Sequence, residues 1–283
     1  MILFFEDGRL GNQLFQYYGF RKYFPHQRII FFGCRDLKKS CDNVAANFIE
    51  LSPKHIKFCI FKLLCFLLTK IRIIGQITES TQNKVFKLVI SRGILFNVYL
   101  ARSIYFQHED CIKEIINPPI LKKKFLNFAK KWLKKNGIFS HQHRLIFIHI
   151  RRKDYLNWPS SEFPAAVDIS WYKKAMTQIS KKINKAIFIV MGDDFPYIYE
   201  NFKSSDTLFI SSNSPEIDLS IMSMCPRGIL SASSFAWWGA FFAKFRKFNK
   251  NHSHFIAPKY WAGYRLKKWL PSKFFSEWIT YLN

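Results

Sequence analysis

The 283-residue sequence predicts an α/β protein of two lobes, each a largely parallel sheet with helices packed on it. Three observations carry that expectation. From residue 145 onward, short apolar runs alternate with helix-period stretches, the pattern of repeated β-α units and hence of parallel strands. The chain also opens with strand, glycine turn, helix and strand over residues 2–32, although no internal repeat links the two halves. Finally, three polar clusters fall at strand ends in the second half, where a doubly wound sheet presents ligands.

Ile2 to Phe5 reads as a short buried strand. Gly8 and Gly11 then loosen the backbone, and Leu14, Phe15 and Tyr18 repeat at helical spacing within a helix over 12–23, followed by a strand at 29–32. A strand-to-helix glycine turn can bring backbone N–H groups to a ligand, but G-x-x-G alone serves packing equally well. The apolar stretch Lys57 to Ile74, interrupted by Lys62 and Lys70, falls short of the ~20 apolar residues that span a bilayer. It reads as a buried or an interfacial helix, in the second case with Phe58, Phe61 and Leu64 at the acyl boundary.

After Asn117-Pro118-Pro119, the residues Leu121, Phe125, Phe128 and Trp132 form one stripe of a helix from Leu121 to Lys135. Its other face is lysine-rich and reads as solvated, and Gly137 supplies a stop. The polar link that follows, with His141 and His143, sets the expected organisation: a lobe over 1–140, a second over 141–263, and a closing segment over 264–283, expected as an aromatic helix packing back across both. Within the second lobe strands are expected at 145–150, 186–191, 207–210, 228–231 and 254–257. Helices are expected at 170–183, from Pro196, at 215–224 and at 236–245.

Lysine and arginine number 44 against 19 acidic residues, a net charge of +25 that implies an anionic partner: nucleotide phosphates, nucleic acid, an acidic glycolipid or a membrane face. The six cysteines form no C-x-x-C pair and no zinc-like spacing, so they read as reduced, mostly buried thiols of a cytosolic protein. No basic leader or cleavage site precedes the first strand, so a cytoplasmic location is expected, with peripheral contact at the inner face of the membrane as its extension.

The first polar cluster is His149-Ile150-Arg151-Arg152-Lys153-Asp154-Tyr155. His149 still belongs to the strand alternation, whereas Arg151, Arg152 and Asp154 lie at or past its end. Paired arginine forks suit a diphosphate, and phosphate binding is preferred here over a surface Arg-Asp pair because the chain has no Walker loop. The second cluster, Gly192-Asp193-Asp194, could bind a metal, accept from a nucleoside or cap the next helix. In the third, Ser231, Ser233 and Ser234 precede a helix opening with Phe235, Trp237 and Trp238, so hydroxyls and amides at a helix N-terminus again point to phosphate. The two tryptophans read as core.

Together Gly8-Arg9-Leu10-Gly11-Asn12-Gln13, the H-x-R-R-x-D element at 149–154, Gly192-Asp193-Asp194, Asp218-Leu219, Ser233-Ser234-Phe235-Ala236-Trp237-Trp238-Gly239-Ala240 and Ile256-Ala257-Pro258 resemble the α-1,2-fucosyltransferase family (glycosyltransferase family 11-like), in order and spacing over nearly the whole chain except 33–104. The resemblance implies a GT-B-like fold: two Rossmann-like lobes with a cleft between them, the nucleotide sugar held by the second and the acceptor by the first. It implies transfer of L-fucose from GDP-fucose to the 2-hydroxyl of a galactoside with inversion, in bacterial surface glycan synthesis.

On that reading Arg151 and Arg152 neutralise the departing diphosphate, supplemented by Ser233, Ser234 and the backbone at Phe235, while His149 and one of Asp193 or Asp194 contact the guanosine. Asn12 helps shape the reaction site. Asp154 is the first candidate for the base, with Glu6 and Asp7 behind it. No metal or cofactor is implied beyond the donor, and no nucleic acid; the acceptor is a galactose-containing oligosaccharide or lipid-linked glycan. The competing readings are a GT-B glycosyltransferase with another sugar nucleotide or linkage, and a non-catalytic basic protein that coats RNA or membrane. Polar clusters converging at successive strand ends favour the enzyme, since a coating protein needs only spread charge and stacking platforms.

Overall fold

A computed structural model describes residues 1–80, 86–113, 117–181, 183–246 and 253–283. The chain divides into two compact units, Met1–Ile120 and Leu121–Asn283. The division falls before the lysine-rich helix, so the expected boundary near residue 140 is displaced toward the N-terminus.

In the first unit the chain runs β1 (Ile2–Phe5), α1 (Leu10–Tyr23), β2 (Ile29–Phe32), α2 (Arg35–Ser40), β3 (Cys41–Asp42), β4 (Asn47–Ile49) and α3 (Ile56–Lys70). It continues through β5 (Gly75–Ser80), β6 (Lys87–Ser91), β7 (Tyr99–Arg102), α4 (Glu109–Ile112) and β8 (Ile120–Leu121), where the next unit begins. The six-stranded sheet has the order β4-β2-β1-β7-β5-β6, parallel except for the β5-β6 pair. From β1 the chain moves outward to β2 and β4, then returns to the other side of β1. The order therefore reverses at the β1-β7 seam, where an open α/β sheet leaves a crevice beyond its strand ends. Aromatic packing ties α1 to the sheet, with Phe20 edge-on to Phe4 at 5.3 Å and both rings buried.

The second unit contains α5 (Lys123–Lys135), β9 (Leu145–Ile150), α6 (Ile169–Ser180), β10 (Ile187–Gly192), α7 (Phe195–Asn201), β11 (Leu208–Ile210) and α8 (Pro215–Met222). β12 (Arg227–Ile229), α9 (Ser234–Lys244), β13 (His254–Pro258) and β14 (Ile279–Leu282) complete it. Its sheet is parallel throughout, in the order β11-β10-β9-β12-β13-β14. Every residue of β9 is buried, as a strand covered on both faces requires. The switch point lies between β9 and β12. The expected end of α6 at 183 runs past Ser180 and through residue 182, which lies outside the described residues.

α5 turns its buried Phe125, Ala129 and Leu133 toward α8 and leaves its lysines in solvent, which fixes it in the second unit. The closing segment is not an aromatic helix. Pro271 interrupts any helix there, and Ile279-Thr280-Tyr281-Leu282 has the β-branched and aromatic character that suits β14, the edge strand beside β13. Trp237 and Trp238 are fully buried, as a core role requires. All six cysteines are free and only Cys59 is exposed. Among the described residues no helix is long and apolar enough to cross a membrane.

Candidate active site

In the second unit the chain leaves β9 at Ile150 and delivers Arg151 and Arg152 directly beyond the switch point. β10 approaches closely there: a Cβ on Gly192 would lie 2.2 Å from the Ile150 carbonyl oxygen, and the Asp193 N–H donates to that carbonyl at 3.2 Å. This contact aims the two aspartates at the two arginines. Arg151 donates to Asp154 at 2.7 Å and pairs with Asp193 at 3.0 Å, while Arg152 pairs with Asp194 at 3.3 Å. Asp193 also accepts the Arg152 backbone N–H at 2.8 Å. The Arg152 guanidinium lies 4.0 Å from the Tyr197 ring centre and that of Arg151 5.4 Å from Tyr155, which fixes both planes. Each fork has five donors, so these partners hold the arginines in place and leave donors for an incoming anion.

The three acids therefore have arginine partners. Asp193 and Asp194 orient arginines, and Asp194 also caps α7 by accepting from the Tyr197 N–H at 3.4 Å. Asp154, the first-ranked base candidate, is half-exposed and holds the Arg151 fork. Among the described residues no group of three or more His, Cys, Asp or Glu converges as metal ligands.

Across the seam, Ser231 follows β12 and meets His149 Nδ1 at 2.8 Å, and the Phe235 ring lies 5.4 Å from the imidazole. Tyr172 donates to the His149 carbonyl at 3.3 Å, and Tyr155 donates to that of Ala232 at 3.0 Å, binding the β12 loop to the segment after β9. α9 begins at Ser234 with Ser233 at its N-cap and no capping bond from that side chain, so the first N–H groups of the helix point to the same end of the sheet as the arginines. His149, Arg151, Arg152, Ser233, Ser234 and Phe235 are thus brought to one seam by β9 and β12.

Burial, reinforced by Arg151, pushes the His149 imidazole down to about 3 from the ordinary 6.5, so it is neutral at physiological pH. Its folded value is depressed, so the unfolded chain binds the extra proton first as pH falls. Stability is therefore expected to drop from about pH 6.5 toward pH 3, at up to ~1.4 kcal/mol per pH unit from this group. Thermal melts over that range should show a shallower slope for His149→Gln than for the parent.

The first unit carries its own polar cluster at the β1-β7 seam. A cavity of about 400 Å³ is lined by Phe5, Asp7, Arg102 and Ser103 from the strand ends and by Lys62 and Phe66 from α3 above them. Asp7 accepts from the Tyr105 hydroxyl at 2.8 Å. Asn12, beside the turn, accepts from Gln107 Nε2 at 2.8 Å. Gln13 and Gln16 brace the same turn by donating to the carbonyls of Gly8 and Asp7 at 3.0 and 2.9 Å. Gly8 has φ +91°, and a Cβ there would sit 2.4 Å from Asn12 Nδ2, so this glycine is needed both for its backbone and for its missing side chain. Glu6 is directed elsewhere: it accepts the Cys34 N–H, and burial raises its pKa.

Of the three base candidates, Asp7 alone lines this cavity. Reading the sequence missed Arg102, Ser103, Phe66 and Tyr105, although Arg102-Ser103 directly follows the strand-like Tyr99-Leu100-Ala101 and could have been found by the same strand-end rule. Asp218, part of the resemblance but given no role there, accepts from Ser211 at 2.5 Å, and burial holds it well above the usual carboxylate range.

The family model of glycosyl transferase family 11 matches residues 80–282. The O-antigen biosynthesis glycosyltransferase WbnK of Escherichia coli is 26% identical over 165 residues, 56% of this chain and 54% of that protein, so the matched part spans about half of WbnK. An alpha-1,2-colitosyltransferase of Escherichia coli is 25% identical over 262 residues, covering 82% of this chain and 84% of its own. Galactoside alpha-(1,2)-fucosyltransferase 2 of Mus musculus is 25% identical over 117 residues, 39% of this chain and 33% of that one. Among solved structures, fucosyltransferase NodZ from Bradyrhizobium superposes with a TM-score of 0.51 at 11% identity, over 85% of this chain and 92% of its own. POFUT1 in complex with GDP gives 0.54 at 10% identity, over 86% and 94%. At these identities the structures speak for the fold, which is the GT-B type expected from the sequence.

Proposed function

The chain belongs to glycosyl transferase family 11, and we propose that it moves L-fucose from GDP-fucose to the 2-hydroxyl of a galactoside, with inversion, in the synthesis of a bacterial surface glycan. The observation that carries this reading is the pair Arg151 and Arg152, ion-paired into fixed positions beyond the β9-β12 seam with the N-terminus of α9 at the same end of the sheet. The names of the relatives support the linkage and the setting: an O-antigen glycosyltransferase and two α-1,2-transferases.

In the proposed reaction the acceptor O2 forms a bond to the anomeric carbon as the bond from that carbon to the β-phosphate oxygen breaks. The acceptor proton passes to a carboxylate, and the electron pair leaves with GDP. Arg151 and Arg152 stabilise the charge growing on the diphosphate, with α9 N–H groups as further donors. Asp7 is the preferred base, because its carboxylate lines the first unit's cavity; Asn12, fixed by Gln107, shapes the surrounding turn. The galactoside is assigned to that cavity, where the apolar Phe5 and Phe66 lie beside the polar Asp7, Arg102 and Ser103, a combination suited to a sugar's C–H faces and hydroxyls.

The decisive experiment is a donor screen with GDP-fucose, GDP-mannose, UDP-sugars and the corresponding colitosyl donor, each with a galactose-terminated acceptor, followed by NMR of the product linkage. GDP release with an α-1,2 product only from GDP-fucose is expected. A product from the colitosyl donor alone would reassign the sugar, a reading for which the relative covering 82% of this chain gives reason. The arginines are assigned the charge neutralisation that a divalent ion otherwise provides, so the turnover rate is expected to be unchanged in EDTA. Activity that returns only with Mg²⁺ or Mn²⁺ would reject this assignment.

A further inference from the structure

We propose that the outward face of α3, together with the loop Gly93–Phe96, docks on the surface of an anionic phospholipid bilayer. Stepping 100° per residue along α3 puts Ile56, Ile60, Leu63, Leu64, Leu67 and Ile71 within an arc of about 100°. Each is 50–70% exposed. Phe58 and Cys65 occupy the opposite side and are buried on the sheet, so Phe58 anchors the helix and the outward face is a separate, wholly aliphatic stripe. That arrangement inverts a surface helix of an ordinary soluble protein, whose outward face is polar.

The stripe continues beyond the helix. Ile94 and Leu95 donate backbone hydrogen bonds to the carbonyls of Arg72 and Ile73 at 2.8 Å each, which fixes the loop against the C-terminal end of α3. Ile94 is 71% exposed there and Phe96 78%. An apolar surface extending over two tied elements marks an interaction site rather than scattered surface hydrophobes.

Charge selects the occupant. Residues 52–76 and 86–103 contain no Asp or Glu, but they carry Lys54, Lys57, Lys62, Lys70, Arg72, Lys87, Arg92 and Arg102. Lys57 and Lys70 lie at the two margins of the stripe, where long side chains can reach headgroup phosphates while the aliphatic residues enter the acyl boundary. A second copy of the chain would bring the same cations to face one another across a symmetric contact, whereas an anionic bilayer complements both the stripe and its rim. The helix lies in the interface rather than across it, since its 15 residues reach only about 22 Å against a hydrocarbon core of ~30 Å.

The inference stands apart from the donor chemistry, and its test keeps the two separate. The full chain is sedimented with vesicles of phosphatidylglycerol and phosphatidylcholine, and with phosphatidylcholine alone, at low and high salt. Binding to the anionic vesicles that weakens with salt is expected. The combined variant Ile60→Gln, Leu64→Gln, Leu67→Gln should lose about a hundredfold in partitioning. The variant Lys57→Gln, Lys70→Gln, Arg72→Gln should lose the salt-sensitive part. GDP binding by calorimetry and the thermal melt, measured on the same variants, should stay at the parent values. Absence of binding to anionic vesicles, or undiminished binding by the aliphatic variant, would overturn the proposal. So would a parent dimer that becomes monomeric in that variant with vesicle binding unchanged, which would make the stripe a subunit contact.

Discussion

Arg151→Ala is expected to lower kcat by about 10²–10³, a loss of ~2.7–4 kcal/mol of transition-state stabilisation, the range for removing one donor from a preorganised anion site. The residue is only 15% exposed at its side chain and is held by Asp154 at 2.7 Å and Asp193 at 3.0 Å. The planar fork meets two carboxylates at once and still has donors for phosphate. Lysine offers one mobile point charge, so Arg151→Lys should recover only part of the rate. Steady-state turnover of GDP-fucose is the measurement, with GDP affinity measured alongside it. A mutant that retains both would remove Arg151 from the diphosphate site. Asp154→Asn tests the same geometry from the other partner: it keeps the shape but weakens the hold on the fork, so a smaller loss than that of Arg151→Ala is expected.

Trp237→Ala should cost about 3–5 kcal/mol of stability, the range for emptying a large aromatic from a packed core. Its ring is fully buried, stacks on Phe241 with centroids 5.4 Å apart and lies 5.6 Å from Trp278, and its indole N–H donates to Ser276 at 2.9 Å. For a unit of this size the melting temperature should fall by roughly 10 °C. Trp237→Phe keeps much of the packing but removes the indole hydrogen bond to Ser276, so an intermediate loss is expected. If the tryptophan were instead a platform for the nucleotide base, the alanine variant would lose GDP affinity with little change in the melt. Differential scanning calorimetry with and without GDP separates the two.

The β-α alternation was legible because parallel strands covered on both faces read as near-continuous apolar runs, as Leu145–Ile150 does apart from His149, and because acids and glycines mark where such strands end, as Gly192-Asp193-Asp194 does. Other features depend on partners far away in sequence. α5 belongs with the second unit because it packs on α8, some eighty residues later, and nothing within 121–135 records that contact. The orientation of α3 was hidden because the helix is apolar nearly all round, so periodicity could not distinguish Phe58, which is buried, from Leu64, which is not. The acids at the arginines were visible as residue types, but their roles depend on distances. Asp7 and Arg102 meet at one cavity only because β1 pairs with β7, placing Ile2 opposite Tyr99.

Those seams also imply an expected order of events in time. β9 has β10 as a near neighbour in the chain, but its other edge needs the more distant β12, where Ile146 lies opposite Arg227. β1 likewise pairs with β2 across a single helix, but with β7 only after nearly a hundred residues. Closing such long loops is entropically unfavourable until the non-local contacts form, so neighbouring strand pairs should assemble before the seams. His149 and Ser231 come together only across the later seam. During refolding, helical and sheet signals should therefore return ahead of nucleotide capture, and a chain halted between the two stages would have most of its secondary structure and no place for the donor.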